Sequence, residues 1–165
     1  MYFFFAQESL NYPELFDIDY FFHDNEKLIH VASGGVKPVG KLEIITLNPI
    51  FELRRLLRLR RRFEIVENPE VFRDNIESIA SYRSFFNLMA RRGLYSYDKV
   101  DIDDPDCYKF QLISHPIYKA NIEVNGKLIH DINSQKKYSY DFPFEEVSES
   151  FPTSNQIFDL RDFVA

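Results

Sequence analysis

The sequence predicts an α+β fold: a mostly antiparallel sheet of about five to seven strands, with one long helix over residues 68–92 packed on one face and a shorter basic helix before it. Three observations carry this prediction. Several short runs alternate between apolar and polar residues and are separated by turn residues, which is typical of strands. One stretch has apolar residues at helical spacing between clear start and stop signals. Asn125 and Gly126 lie between two alternating runs, the strongest short signal for a hairpin.

Length and composition are those of one compact domain. The chain has 165 residues, with 17 Phe and 10 Tyr but no Trp and only 5 Gly. A chain of this length buries about 70% of the surface that its unfolded form exposes, so a sizeable core rich in aromatic rings is expected. We therefore expect a single domain over residues 1–165. Whether the segment from about residue 143 onward docks on this domain or is mobile stays open.

The first part of the chain is predicted to form a strand and a hairpin. The opening run MYFFFAQ is interpreted as a buried strand, because it is too short for a signal peptide or a membrane span. The hairpin follows, with its turn at residues 24–27 and with His23 opposite Leu28. This register places Ile18, Tyr20, Phe22, Ile29 and Val31 on one face, predicted to be the core, and Asp19, Phe21, His23, Leu28 and His30 on the other.

A loop and two basic elements come next. Residues 33–40 are rich in Gly and Pro and predict a loop, and the run KLEIITL after it predicts a strand. Asn48 and Pro49 are typical of a helix start, so we predict a short helix from Pro49 to about Arg58. Alternation then predicts a strand over about 63–67.

The long helix is the element with the most complete set of signals. Asn68 fits the N-cap position and Pro69 the first helical position. Apolar residues then recur at steps of three, four or seven, so they share one face of the helix. Gly93 fits the left-handed residue that often follows a helix, after Arg91 and Arg92 in its last turn.

Strands dominate the remainder of the chain. The runs YSYDK, CYKFQLIS and KKYSYDF each predict a strand, and residues 120–132 predict the hairpin around Asn125 and Gly126. Near the end, Thr153 and Gln156 have the spacing of a capping box ahead of a helix over IFDLRDFV.

Charge is distributed unevenly along the sequence. The net charge is −6, yet residues 54–92 hold ten of the eleven Arg and carry a net charge of +5. Within nine residues lie six arginines, here called the arginine belt: Arg54, Arg55, Arg58, Arg60, Arg61 and Arg62. Because six guanidiniums at this density repel one another, some of them are expected to meet anions. The alternatives are carboxylates of this chain, a protein partner with an acidic surface, and the phosphates of a nucleic acid or another polyanion.

Other candidate sites are explained more simply by structure. The acidic run at residues 101–106 lacks the glycine and glutamate spacing of an EF-hand and is expected to be an exposed turn. His23 and His30 have no evident third metal ligand, so we expect them on a surface strand, and His115 and His130 are isolated. Neither Ser33 nor Cys107 lies in a recognisable nucleophile motif, and no catalytic residue, metal site or cofactor is predicted.

These observations favour a small non-enzymatic protein that binds another macromolecule, of the immunity, antitoxin, inhibitor or adaptor type. The partner is expected to be a protein. The alternatives are nucleic acid or polyanion binding through the arginine belt, and an enzyme with an unrecognised site. One cysteine cannot form an internal disulfide, which favours the cytoplasm, and no membrane segment is expected. The oligomeric state stays open, and no motif is specific enough to assign a family.

Overall fold

A computed structural model of the chain describes residues 19–34, 55–56, 58–71, 79–104 and 106–165. In this part of the chain the fold is mixed α+β, as predicted. The strands are β1 (Asp19–His23), β2 (Leu28–Ala32), β3 (Ile65–Glu67), β4 (Leu94–Lys99), β5 (Lys109–Pro116), β6 (Asn121–Val124), β7 (Lys127–His130), β8 (Lys137–Tyr140), β9 (Glu145–Glu146) and β10 (Phe158–Asp159), and the helices are α1 (Ile79–Ala90) and α2 (Arg161–Val164). The strand predicted at the start of the sequence, the strand predicted after Gly40 and most of the predicted basic helix lie outside the described residues.

Seven strands form the main sheet, in the order β10-β5-β4-β2-β1-β9, with β3 also paired to β5. A second sheet has three strands, in the order β7-β6-β8. Both sheets are mixed rather than purely antiparallel, so the prediction of a mostly antiparallel sheet is confirmed only in part. Antiparallel pairs are the majority in the main sheet, but β2 pairs with β4, β1 with β9 and β6 with β8 in parallel. The parallel pairs join strands that are not consecutive in the sequence, so tight-turn signals could not indicate them.

The first hairpin has the predicted register, with His23 opposite Leu28 and Phe21 opposite His30. The assignment of one face to the core was incomplete, because both faces are buried. Tyr20 and Phe22 pack in a core with β4 and β5, whereas Phe21 and Leu28 pack on the opposite side against the second sheet. A strand covered on both faces has apolar residues at successive positions, and the run YFF is consistent with that.

Helix α1 packs against β4 and β5 and ends at Ala90, two residues before the predicted end. Gly93 has φ +104°, the left-handed conformation that was predicted for it. At the predicted start, residues 69–70 form a turn rather than the first turn of a helix. Within it the side-chain oxygen of Asn68 accepts a hydrogen bond from the Glu70 amide. Residues 72–78 lie outside the described part, so the long helix is described only from Ile79.

The second hairpin forms as predicted, with Asn125 and Gly126 at φ 49° and 85° joining β6 to β7. Both values are positive, as a two-residue turn between right-twisted strands requires. None of the helices in the described part is long and apolar enough to cross a membrane.

The C-terminal residues lie against the main sheet. The helix predicted over IFDLRDFV is instead the two-residue strand β10 followed by the four-residue α2. Phe151, Phe158 and Leu160 are buried in the same core as Tyr20 and Phe22. Burial of these side chains holds the end of the chain on the sheet face that α1 does not cover.

Candidate functional site

The arginine belt leads into β3, and two buried residues anchor it. Leu56 is fully buried and Phe63 is 7% exposed, so the chain between them is fixed at both ends. The amides of Arg62 and Phe63 both donate to the carbonyl oxygen of Arg91, at 2.8 and 3.2 Å. This contact joins the belt to the end of α1, where Arg91 is also exposed.

Two belt residues contact the segment of β8: one contacts a residue on the strand and the other contacts the residue directly after it. Arg55 donates to the carbonyl oxygen of Asp141 at 2.7 Å and lies 3.3 Å from its carboxylate. The guanidinium carbon of Arg62 lies over the ring of Tyr138, 4.5 Å from the ring centroid. Such cation–π contacts fix the position of an otherwise flexible side chain.

Three belt residues have no such partner. Arg58, Arg60 and Arg61 are exposed, and among the described residues no carboxylate lies within ion-pair distance of their side chains. The neighbouring Glu64 is already paired with Lys119, at 2.6 Å. Carboxylates of the described chain therefore neutralise only Arg55 within the belt. Arg54 lies outside the described residues.

The belt also faces a like charge on its own chain. Arg92 is 5% exposed and donates from Nη1 to the carbonyl oxygen of Leu88 at 2.8 Å. Burial lowers the pKa of Arg92, and the positive charge of Arg61 lowers it further. Arg61 and Arg92 therefore carry like charges at neighbouring positions.

Beneath α1 the structure brings together Asp19, His30 and Ser96, which the sequence did not connect. His30 Nδ1 lies 2.6 Å from Ser96 Oγ, and His30 Nε2 lies 2.9 Å from Asp19 Oδ1. His30 was expected on a surface strand, but it is fully buried because α1 covers that face with Phe85 and Phe86. The only sequence signal was that Asp19 and His30 lie on the same face of the predicted hairpin. Ser96 is 66 positions away from His30.

An aspartate, histidine and serine linked in this way can activate a serine hydroxyl for nucleophilic attack. Here both Ser96 and His30 have no exposed surface, and Ser96 lies in the middle of a central strand under a helix. No substrate can reach that hydroxyl in this structure. The three residues instead supply one another with hydrogen-bond partners, which a buried polar group needs.

The other sequence candidates do not converge. No group of three or more His, Cys, Asp or Glu suited to a metal ion occurs among the described residues. The acidic turn is exposed at Asp101, Asp103 and Asp104, as expected. His23 is buried, contrary to the prediction, and its Nδ1 lies 3.3 Å from the carbonyl oxygen of Asp24.

The remaining two histidines are held against tyrosines. His115 stacks on Tyr95 with ring centroids 5.1 Å apart, and His130 contacts Tyr118 at 4.7 Å. Both histidines use Nδ1 for a backbone carbonyl oxygen, of Pro116 and of Glu26 respectively.

The tyrosines are mostly part of the core. Tyr97 is fully buried and donates to the carbonyl oxygen of Pro152, and Tyr140 is 3% exposed and donates to that of Arg92. Burial raises the pKa of both phenols, and it raises the pKa of Tyr20 to about 12. Tyr138 differs from these, because it is only half-buried and faces the arginine belt.

Comparisons with protein-family models, with curated proteins and with solved structures find no match to this chain.

Proposed function

We propose that this protein is a non-enzymatic binding protein, of the immunity, antitoxin, inhibitor or adaptor type, and that its partner is an anionic macromolecule. The observation that carries the proposal is the set Arg58, Arg60 and Arg61: three exposed guanidiniums without a carboxylate partner in the described chain. The single Cys107, which is free, supports a reducing compartment such as the cytoplasm as the place of action.

Anchoring of the belt supports a binding role over a merely solvated charge run. Leu56 within the belt and Phe63 directly after it are buried, and the amide of Arg62 donates to the carbonyl oxygen of Arg91, the residue after α1. A fixed backbone lowers the entropy that binding must overcome, so the guanidiniums are ready to form directed bonds with carboxylates or phosphates. The acidic balance of the chain outside residues 54–92 restricts the attraction for anions to this surface.

The proposal is tested with a photo-cross-linking residue at position 58, used in the native host. Exposed Asn155 in the C-terminal segment is the matched control position. We expect an adduct from position 58 that is absent from position 155, and protease and nuclease digestion then identify it as protein or nucleic acid.

The decisive variant carries Arg60→Glu and Arg61→Glu together with the cross-linker. Each reversal replaces an attraction by a repulsion of similar size, so the adduct should fall at least about tenfold. An adduct that is equally abundant from both positions, or that survives the reversal in a protein with an unchanged circular dichroism spectrum, would overturn the proposal.

A further inference from the structure

We infer that the anionic partner is a single-stranded nucleic acid, whose phosphates contact Arg58, Arg60 and Arg61 and one of whose bases stacks at Arg62 and Tyr138. This inference rests on the proposed function, because it uses the same surface. The class of partner comes from one feature that a carboxylate-bearing protein would not require, the aromatic ring placed beside the exposed guanidiniums.

Arg62 and Tyr138 form a flat feature at the end of the belt. Arg62 is exposed, and its guanidinium carbon lies 4.5 Å from the centroid of the half-buried Tyr138 ring. Proteins that bind single strands combine a basic path for the backbone with such planar groups, on which unpaired bases stack. A paired base in a duplex is stacked on its neighbours and is not free to do so.

The ring of Tyr138 is held in place by aromatic packing. The buried Phe63 packs edge-on against it, with centroids 5.4 Å apart, and also contacts Tyr118 with the same centroid distance. Tyr118 is fixed in turn, because its hydroxyl donates to the carbonyl oxygen of Gly93 at 2.6 Å. The stacking position is therefore set before any ligand binds, which reduces the entropic cost of binding.

Further positive charges lie close in sequence to both Arg62 and Tyr138. Arg58, Arg60 and Arg61 precede Arg62 directly, and exposed Lys136 lies two residues before Tyr138. Two acidic side chains near this position in the sequence are already engaged, Glu64 with Lys119 and Asp141 with Arg55. A phosphate backbone can thus pass the stacking position without meeting an unpaired carboxylate from these residues.

The test is fluorescence anisotropy with labelled 12-nucleotide oligo(dT) and oligo(U), the corresponding 12-base-pair duplex, and heparin as a polyanion without bases. We expect the single strands to bind more tightly than the duplex. Three phosphate contacts predict a slope of about −2 for log affinity against log salt, and Arg60→Gln with Arg61→Gln should reduce that slope by about two thirds.

Two substitutions separate stacking from charge. Arg62→Lys keeps the charge but removes the planar group, and Tyr138→Leu removes the ring; each should weaken oligo(dT) binding at least about fivefold while leaving heparin binding unchanged. The matched control is Arg161→Lys, since Arg161 lies over the Tyr108 ring at 4.8 Å in an acidic part of the chain and should have no effect. Urea unfolding of each variant checks that it is folded.

The outcomes distinguish this inference from the proposed function. Equal binding of duplex, heparin and single strands, with no effect of Tyr138→Leu, would overturn the inference and leave an anion-binding surface. Failure of the oligonucleotides to bind at low salt would also overturn it, and a protein adduct from position 58 would then assign an acidic protein as the partner. Loss of both the oligonucleotide signal and the cross-link would overturn the inference and the proposed function together.

Discussion

Replacement of Gly93 by alanine should be among the most damaging single-methyl additions in the described chain. Gly93 has φ +104°, and a Cβ atom at this position would lie 2.5 Å from the Tyr140 hydroxyl oxygen and 2.9 Å from Cε2 of Phe63. Both neighbouring side chains are buried, so neither ring can move aside freely. Backbone strain contributes about 1–3 kcal/mol and overpacking about as much, which together lower the free energy of unfolding by about 2–6 kcal/mol.

Gly126→Ala supplies the control within the same chain. Gly126 also has a positive φ, of 85°, but its Cβ would have nothing within 4 Å. Only the backbone cost remains, about 1 kcal/mol. The assay is urea unfolding followed by far-ultraviolet circular dichroism. With a denaturant slope of about 2 kcal/mol per molar, Gly93→Ala should lower the midpoint by about 1–3 M and Gly126→Ala by about 0.5 M.

A double-mutant cycle identifies the contact responsible. Tyr140→Phe removes the oxygen nearest to the added methyl group and costs about 1–2 kcal/mol by itself, because the carbonyl oxygen of Arg92 loses its 2.6 Å hydrogen bond. In the Gly93→Ala background that cost should be offset by relief of the clash, with a coupling of at least about 1 kcal/mol. Equal destabilisation by Gly93→Ala and Gly126→Ala, to within about 0.5 kcal/mol, would refute the reasoning.

Three further predictions concern buried polar groups. Asp24, 1% exposed, pairs with the 2% exposed Lys27 at 2.6 Å and accepts a hydrogen bond from the Phe151 amide. Asp24→Asn should therefore lower the free energy of unfolding in urea by about 3–5 kcal/mol, and adding Lys27→Met should recover much of that loss. A double variant no more stable than Asp24→Asn alone would contradict this explanation. Burial raises the pKa of Tyr20 to about 12 and also raises that of Tyr97, so the folded protein keeps these protons at a pH where the unfolded protein has lost them. The contribution of these two tyrosines to stability should be constant below about pH 10 and be lost as the pH rises from about 10 to 12. Absorbance at 295 nm should show fewer ionised tyrosines at about pH 11 in water than in denaturant. His30→Ala removes a buried ring packed among Phe21, Phe85 and Phe86 and should lower the free energy of unfolding by about 3–5 kcal/mol. Ser96→Ala removes only the hydrogen bond to His30 and should lower it by about 1–2 kcal/mol. A larger loss of stability for Ser96→Ala in thermal unfolding would show that the hydrogen bond outweighs the packing.

Local signals in the sequence located those parts of the fold that depend on neighbouring residues. The register of the first hairpin followed from alternation around a short turn, and the second followed from Asn125 and Gly126, whose positive φ values the turn demands. Gly93 marked the end of α1 to within two residues. The concentration of Arg in residues 54–92 was also evident, because it is a property of composition.

Pairings between distant segments were beyond local signals. Turn residues do not indicate which distant strands pair. They therefore could not predict the parallel pairs of β2 with β4 and of β6 with β8, or the separate three-stranded sheet. Burial of both faces of the first hairpin was missed for the same reason: α1 and the second sheet cover the face that was assigned to solvent.

The candidate site shows the same division. The sequence by itself determined that six arginines lie within nine residues and that the chain around them is acidic. Only the tertiary structure decided which of them have partners: Arg55 meets Asp141 and Arg62 meets Tyr138, each more than 70 positions away, whereas Arg58, Arg60 and Arg61 meet no carboxylate in the described chain. The same holds for His30, whose hydrogen bond to Ser96 exists because β2 and β4 lie side by side. Composition and periodicity act over a few residues, but the partner of a charged or polar group is set by the packing of segments far apart in sequence, and that is a property of the fold as a whole.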